Sequence, residues 1–407
     1  MTDVCRPMHH IRPQTGWIND PNGLAHVDGR WHVFFQYRAD QPRHGEIAWG
    51  HVSSDDLFAW REEPVALRPR AGEIDAVGCW SGCCTIDDGT PTLCYTAVPN
   101  SPEDAVGAIA TGDATLSSWT PAEVPSAPRT GAEDAQTRDP FVVWIDGRRY
   151  IVQGHGGLNT PASLLLYDAT DLTSWELLGP LLNHDDEIAA SVAPADIWEC
   201  PNVFQLDGRW VVLVSLWQAV DGRGTLAGVR WLVGEMDTTG DHPRFVPSNG
   251  GVLDDGPAFY APQALVDDDR ILMWGWSWEL QRDEEWLDEH GWAGVLTAPR
   301  ELHVVDGQLT ATLAPEFASH AHEELGSPWS AAEDTCVLVT TSGPAVLVCD
   351  GADGNDRVEL PGAASVLVDG SLVEVYRADG TTHTTRIYPA AGSTWRLEGA
   401  GTVQAIR

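Results

Sequence analysis

Along roughly the first three-quarters of the chain, short polar turns and apolar runs alternate with a period of about sixty residues. An acidic turn followed by an apolar run appears as Asp28-Gly29-Arg30 before WHVFFQY, Asp88-Gly89 before TPTLCYT and Asp146-Gly147-Arg148 before RYIVQG. It returns as Asp207-Gly208-Arg209 before WVVLVSLW and Asp268-Asp269-Arg270 before ILMWGW, with steps of 60, 58, 61 and 61 residues. Asp-Gly between apolar, β-branched and aromatic runs signals a two-residue hairpin. A second marker, ending in Trp60, Trp119 and Trp175, keeps nearly the same register, with steps of 59 and 56 residues. Each unit therefore reads as several antiparallel strands.

Little of this region has helical periodicity, and repeated four-stranded units point to a radial arrangement. The expected fold is all-β, with a five-bladed β-propeller over residues 1–302. Beyond it the pattern changes to short strands such as CVLVTT, AVLVCDG and SVLVDGSLVEVYR between Gly- and Asp-rich turns. These predict a short β-sandwich over 326–407, joined by a linker over 303–325.

Charge narrows the partners. The chain has 24 basic residues, all of them Arg, against 60 acidic ones, a net charge of −36. That surface repels nucleic acid and anionic membranes but leaves a neutral saccharide unaffected. The absence of Lys also excludes lysine Schiff-base chemistry. No apolar run is long enough to span a membrane, and the first ten residues lack the pattern of a secretory signal, so a cytoplasmic location is expected. Eight cysteines without paired CxxC spacing read as thiols, with no metal and no cofactor expected.

Three acids precede three of the turns at similar distances: Asp20 by 8 residues, Asp139 by 7 and Glu199 by 8. In a propeller the first strand of each blade lines the central channel, so the three should converge at one mouth. Two carboxylates flanking one bond are what glycoside hydrolysis requires, one as ionised nucleophile and one as proton donor. A Glu buried more deeply beside an ionised Asp would have its pKa raised by desolvation and like charge, as the donor needs. A third acid can hold sugar hydroxyls in the transition state.

The strings Trp17-Ile18-Asn19-Asp20-Pro21-Asn22-Gly23, Arg138-Asp139-Pro140 and Glu199-Cys200-Pro201 resemble the signature set of glycoside hydrolase family 32, the invertase, inulinase and levanase family. Gln36-Tyr37, Trp49-Gly50-His51, Trp80-Ser81-Gly82, Tyr260-Ala261-Pro262-Gln263 and Pro299-Arg300-Glu301-Leu302 extend the match along the chain. The resemblance implies a propeller followed by a β-sandwich. It also implies a retaining β-fructofuranosidase acting on sucrose or short fructo-oligosaccharides through a fructosyl-enzyme intermediate.

Carried over by position, Asp20 is the nucleophile, Glu199 the acid/base and Asp139 the transition-state stabiliser. Asn19, Gln36, Ser81 and Arg138 would bind fructose, with Trp49, Trp80, Cys200 and Trp276 also in the binding set. Arg138 has the alternative of a structural ion pair, Trp276 of a core residue and Cys200 of a packing thiol. The chain departs from the family pattern at Arg38-Ala39, and His44, also in the binding set, stands where Trp is expected, either displaced from the pocket in a mobile loop or at its mouth, recognising a polar leaving group. Leaving-group preference is where these departures bear, and Arg38 and Arg43 near the rim would suit a phosphate ester that the net charge disfavours. A fructosyltransferase, an arabinan- or xylan-directed relative and a silent sugar-binding propeller are the competing readings. Nothing in the sequence fixes oligomeric state.

Overall fold

The computed structural model describes residues 3–268, 270–332, 336–351 and 354–407, so Asp269 of the fifth turn lies outside the described residues. Five groups of antiparallel strands form the expected blades. The first contains Gly16–Val27, Arg30–Arg38, Ala48–Ser54 and Arg61–Glu62, and the second Gly78–Asp87, Thr90–Val98, Val106–Gly112 and Trp119–Pro121. The third (Gln136–Ile145 to Glu176–Asn183) and fourth (Ile197–Leu206 to Arg244–Val252) join into one hydrogen-bonded sheet through the single pair Gly156 and Ile197. The fifth begins with Tyr260–Asp267 and Arg270–Ser277.

The repeated turns have the backbone their sequence predicts. Asp28 and Gly29 have φ of 52° and 75°, and Asp88-Gly89, Asp146-Gly147 and Asp207-Gly208 follow suit. Left-handed geometry at both central positions matches the twist of the flanking strands. The ring closes where Trp292–Ala293 pairs in parallel with Gly16 and Trp17.

The segment expected to link the two parts from residue 303 holds more structure than that. Arg300–Val305 and Gln308–Leu313 pair with each other and complete the fifth blade's sheet. A one-turn helix, Pro315–Ala318, then leads away, and Ala321–Glu324 already pairs with the carboxy-terminal strand Thr394–Ile406. In the carboxy-terminal β-sandwich the long strand Cys336–Gly351 pairs with Ala364–Asp369 through its first half and with Gly354–Leu360 through its second. Among the described residues no helix is long and apolar enough to cross a membrane. All eight cysteines are free thiols.

One irregularity recurs at the same depth in every blade. The innermost strand carries an extra residue at Asn19-Asp20, Ser81, Asp139-Pro140, Cys200-Pro201 and Ala261-Pro262. Such bulges re-aim side chains. Asp139, Cys200 and Ala261 have φ of 60°, 46° and 46°, a left-handed conformation that non-glycine residues seldom adopt.

Candidate active site

These bulges deliver the acids to one cavity of about 500 Å³ at a mouth of the channel. Asp20, Asp139 and Glu199 all line it, with Asn19, Gln36, His44, Trp80, Arg138 and Trp276 from the sequence-derived set. The three acids are not in strict register, however. Arg138, Glu199 and Tyr260 occupy the last paired position before the bulge in blades three, four and five, and Asp139 comes one residue later. The counts of 7 and 8 already carried that step, but they hid the place of Asp20, two residues past its last pair at Ile18, because blade one has a second bulge between Asn22 and Ala25 and a longer ladder beyond it.

The offset explains the hydrogen bonds around Glu199. Its neighbours in the ring of inner strands are a guanidinium on one side and a phenol on the other. Arg138 donates through Nε at 3.1 Å and Nη2 at 2.8 Å to Oε1, and Tyr260 donates its hydroxyl to Oε2 at 2.6 Å. Burial and the charge of Glu199 push the Tyr260 hydroxyl well above its usual range, keeping it a donor. Gln136 accepts from Nη1 of Arg138 and donates to Glu103 at 2.8 Å, steadying the guanidinium. Arg138 is thus an ion-pair partner of Glu199 that also lines the cavity.

Asp20 is held differently. Its Oδ2 accepts from Gln36 at 3.0 Å, from the Ser81 hydroxyl at 2.5 Å and from the Cys200 thiol at 3.5 Å. Oδ1 accepts from Asn19 at 3.1 Å, and Trp17 fixes Asn19 through its indole N–H at 2.9 Å. Burial raises the Asp20 carboxyl to about 6; the hydrogen bonds from Ser81, Cys200 and Asn19 oppose this, and the charge of Glu199 adds to it.

Asp139 is raised to about 7 by burial and by the charges of Glu199 and Asp20, with Arg138 acting in the opposite direction. Its backbone N–H donates to Thr96 at 2.7 Å, and its Oδ2 accepts the Cys200 backbone N–H at 2.9 Å. The expected order of burial is reversed. Asp20 and Asp139 are the buried pair, whereas Glu199 keeps part of its side chain exposed.

Three members of the sequence-derived set take places other than the cavity wall. Trp49 is fully buried, and its indole donates to the Trp80 carbonyl at 3.1 Å, so it supports the wall from behind. Ser81 and Cys200 lie beneath the cavity floor, where they donate to Asp20. Burial, with the charges of Asp139 and Asp20, pushes the Cys200 thiol far up, so it is a protonated donor. Trp276 lines the cavity while packed edge-on against Trp17. His44 is in the cavity, edge-on to Trp80, and not displaced.

Arg38 and Arg43 turn away from the cavity. Arg38 pairs with Asp40 at 3.0 Å and donates to the His44 carbonyl, and Arg43 bonds Asp288 at 2.8 Å and also Glu284. Sequence reasoning gave no site role to Trp17, Gln136, Trp217, Leu226 or Tyr260. Only Tyr260 carried a usable signal, as the equivalent of Arg138 and Glu199 counted from its own turn.

Residues 10–313 match the model for the glycosyl hydrolases family 32 N-terminal domain. The chain belongs to glycosyl hydrolase family 32. This glycoside hydrolase is 34% identical over 323 residues to a sucrose-6-phosphate hydrolase from Klebsiella pneumoniae, covering 76% of this chain and 67% of that one. It is 30% identical to a raffinose invertase from Escherichia coli over 95% of this chain and 90% of the relative. Among solved structures, a GH32 beta-fructofuranosidase from Bombyx mori superposes with a TM-score of 0.83 at 23% identity, covering 100% of this chain and 95% of that one. The family 32 enzymes act on fructosides, and the propeller and sandwich here are their fold.

Proposed function

We propose that the chain is a retaining β-fructofuranosidase that releases fructose from sucrose and short fructo-oligosaccharides. The observation that carries this reading is the contrast between the two carboxylates facing one cavity. Asp20 has three donors on Oδ2 and a freer Oδ1, whereas Glu199 is partly exposed between Arg138 and Tyr260. In the first step Oδ1 of Asp20 attacks the anomeric carbon while Glu199, which must take up a proton against the pull of Arg138, gives that proton to the departing oxygen. In the second, Glu199 takes a proton from water as that water displaces Asp20, regenerating both groups. Asp139 bonds fructose hydroxyls as positive charge develops on the ring.

The test is stereochemical. An NMR time course on sucrose should show β-fructose first, with an equal amount of glucose; α-fructose first, or no release from sucrose, inulin or levan, would remove the reading. Free fructose falling well below free glucose would point to transfer to another sugar.

A further inference from the structure

We propose that Glu279, a buried acid outside the cavity, is a positioning residue for the nucleophile, and that the sandwich sets its place. The inference rests on the role of Asp20 proposed above. Just after the closing pair Trp292–Ala293, Gly294 sits at the seam between the first and fifth blades. Its φ is 83°, and an added Cβ would collide with the Ile18 carbonyl oxygen and lie 3.0 Å from Nε1 of Trp276. Ile18 is the last paired residue before the bulge that carries Asn19 and Asp20, and Trp276 lines the cavity. On the far side of Gly294, Val295 and Leu296 pair with Ser277 and Trp276. Whatever fixes the Gly294 backbone therefore fixes the strand of Asp20 and the indole wall together.

That backbone is fixed by a carboxylate held from the other domain. The Gly294 N–H donates to Oε1 of Glu279 at 3.1 Å. From the sandwich, Nη2 of Arg386 lies 2.9 Å from Oε1 and 2.8 Å from Oε2, and Tyr388 donates its hydroxyl to Oε2 at 2.6 Å. Arg386 also bonds Ser371 of its own domain at 2.8 Å and the Ser277 carbonyl at 3.3 Å, and the Tyr388 oxygen accepts the Leu280 N–H at 2.9 Å. The segment that leaves Trp276 is thus tied to the sandwich on both sides of Glu279. The Glu279 side chain is 5% exposed and that of Arg386 0%, so these bonds are shielded from competing water. Glu279, Arg386 and Tyr388 stay outside the lining of the cavity, and they act on the chemistry through the backbone they hold. A misplacement of about 1 Å at a reacting group can cost on the order of 10²-fold in rate, so a distant anchor of this kind has a kinetic signature.

The experiment compares Glu279→Gln with Glu279→Met in the whole chain, with kcat and KM on sucrose measured well below each variant's Tm. Both changes remove the charge opposite Arg386, so both should lower Tm. Gln keeps an acceptor for the Gly294 N–H, and Met, of similar size, does not. Glu279→Met should lower kcat by about tenfold or more with a smaller change in KM, whereas Glu279→Gln should stay within about threefold of wild type. Tyr388→Phe should lower kcat by about twofold alone and add nothing to Glu279→Met, because the two act through one carboxylate. Equal kcat in the Gln and Met variants, or a loss from Tyr388→Phe that repeats in full on Glu279→Met, would overturn the proposal and leave Glu279 a tie between domains. If Glu279→Met does not fold, Tyr388→Phe carries the test: lowered kcat at near-constant KM supports the proposal, and unchanged kcat overturns it. A wild type that releases no fructose from sucrose, inulin or levan would instead remove the reading on which the proposal rests.

Discussion

Two clusters of buried acids occupy this molecule, and they are built on opposite principles. At the junction of amino-terminal arm, fifth blade and sandwich, Asp254, Asp369 and Glu374 share a fully buried space with Arg300 and His10. Arg300 bonds Asp254 at 2.8 Å and Glu374 at 2.7 Å, and His10 bonds Asp369 at 2.7 Å and Glu374 at 2.9 Å. Burial works against ionisation there, but the cations outweigh it, holding all three acids below their usual range and Glu374 near 2. In the active site one guanidinium serves three acids and is aimed at Glu199, so Asp20 and Asp139 move upward to about 6 and about 7. Depth alone therefore does not set the protonation state of a carboxyl. The number and aim of the cations sharing its space do, and a cluster kept short of cations retains the reactivity that a balanced one gives up.

The comparison breaks most sharply at the proposed nucleophile. Asp20→Asn should reduce turnover by roughly 10⁴-fold or more, as loss of a nucleophile does elsewhere. Thermal unfolding of the same variant should show a Tm at or above wild type, because a buried charge without a full set of cations has been removed. Glu374→Gln should do the reverse, lowering Tm while leaving kcat of the folded fraction near wild type. If both changes moved Tm in the same direction, the distinction between the clusters would fail.

Arg300→Met comes next, expected to cost about 3–5 kcal/mol in urea unfolding because it strands Asp254 and Glu374 without their shared cation. The acidic limb of kcat/KM should fall near pH 6 rather than near 4, since in the proposed mechanism Asp20 must be ionised to attack and burial has raised its pKa to about 6.

Stability should follow a different profile. Hydrogen bonds to Asp369 and Glu374 overcome the burial penalty and raise His10 from 6.5 to about 9. Its contribution is complete below pH 6.5 and is lost as pH rises through 9; the lowered acids contribute above their unfolded values and lose this as pH falls towards 2. His10→Gln should flatten the alkaline decline in Tm without changing the acidic limb of kcat/KM. The smallest effect sharpens the site itself. Thr96→Val deprives the Asp139 N–H of its 2.7 Å acceptor and should cost about 1–3 kcal/mol.

Much of this was legible in the sequence, for physical reasons that differ by region. The Asp-Gly turns announced five blades because left-handed backbone at two adjacent positions restricts the residues that can stand there. The acids were legible because charged residues amid Trp and Pro depart from surface composition. The displacement of Asp20 relative to Glu199 was not, since a bulge alters pairing without altering residue type. The sequence distance from His10 to Glu374 is 364 residues, and no spacing marks such a cluster before the chain is folded. Trp49 entered the binding set through the resemblance alone; an aromatic serves walls and cores equally well, and burial separates the two.

The kink shared by all five inner strands has a consequence for how such an enzyme changes over time. Each kink presents one or two side chains to the channel, and the irregular backbone is present whether the residue is Asp139, Ser81 or Ala261. Chemistry is thereby uncoupled from architecture: a substitution at one of five addresses changes the inventory of groups around a substrate without asking any blade to fold differently. Ala261 is an address that holds no functional group, and it neighbours the strand that carries Glu199. A ring of this kind can gain, lose or relocate an acid by single replacements, which makes reaction specificity far more mutable than the fold that houses it.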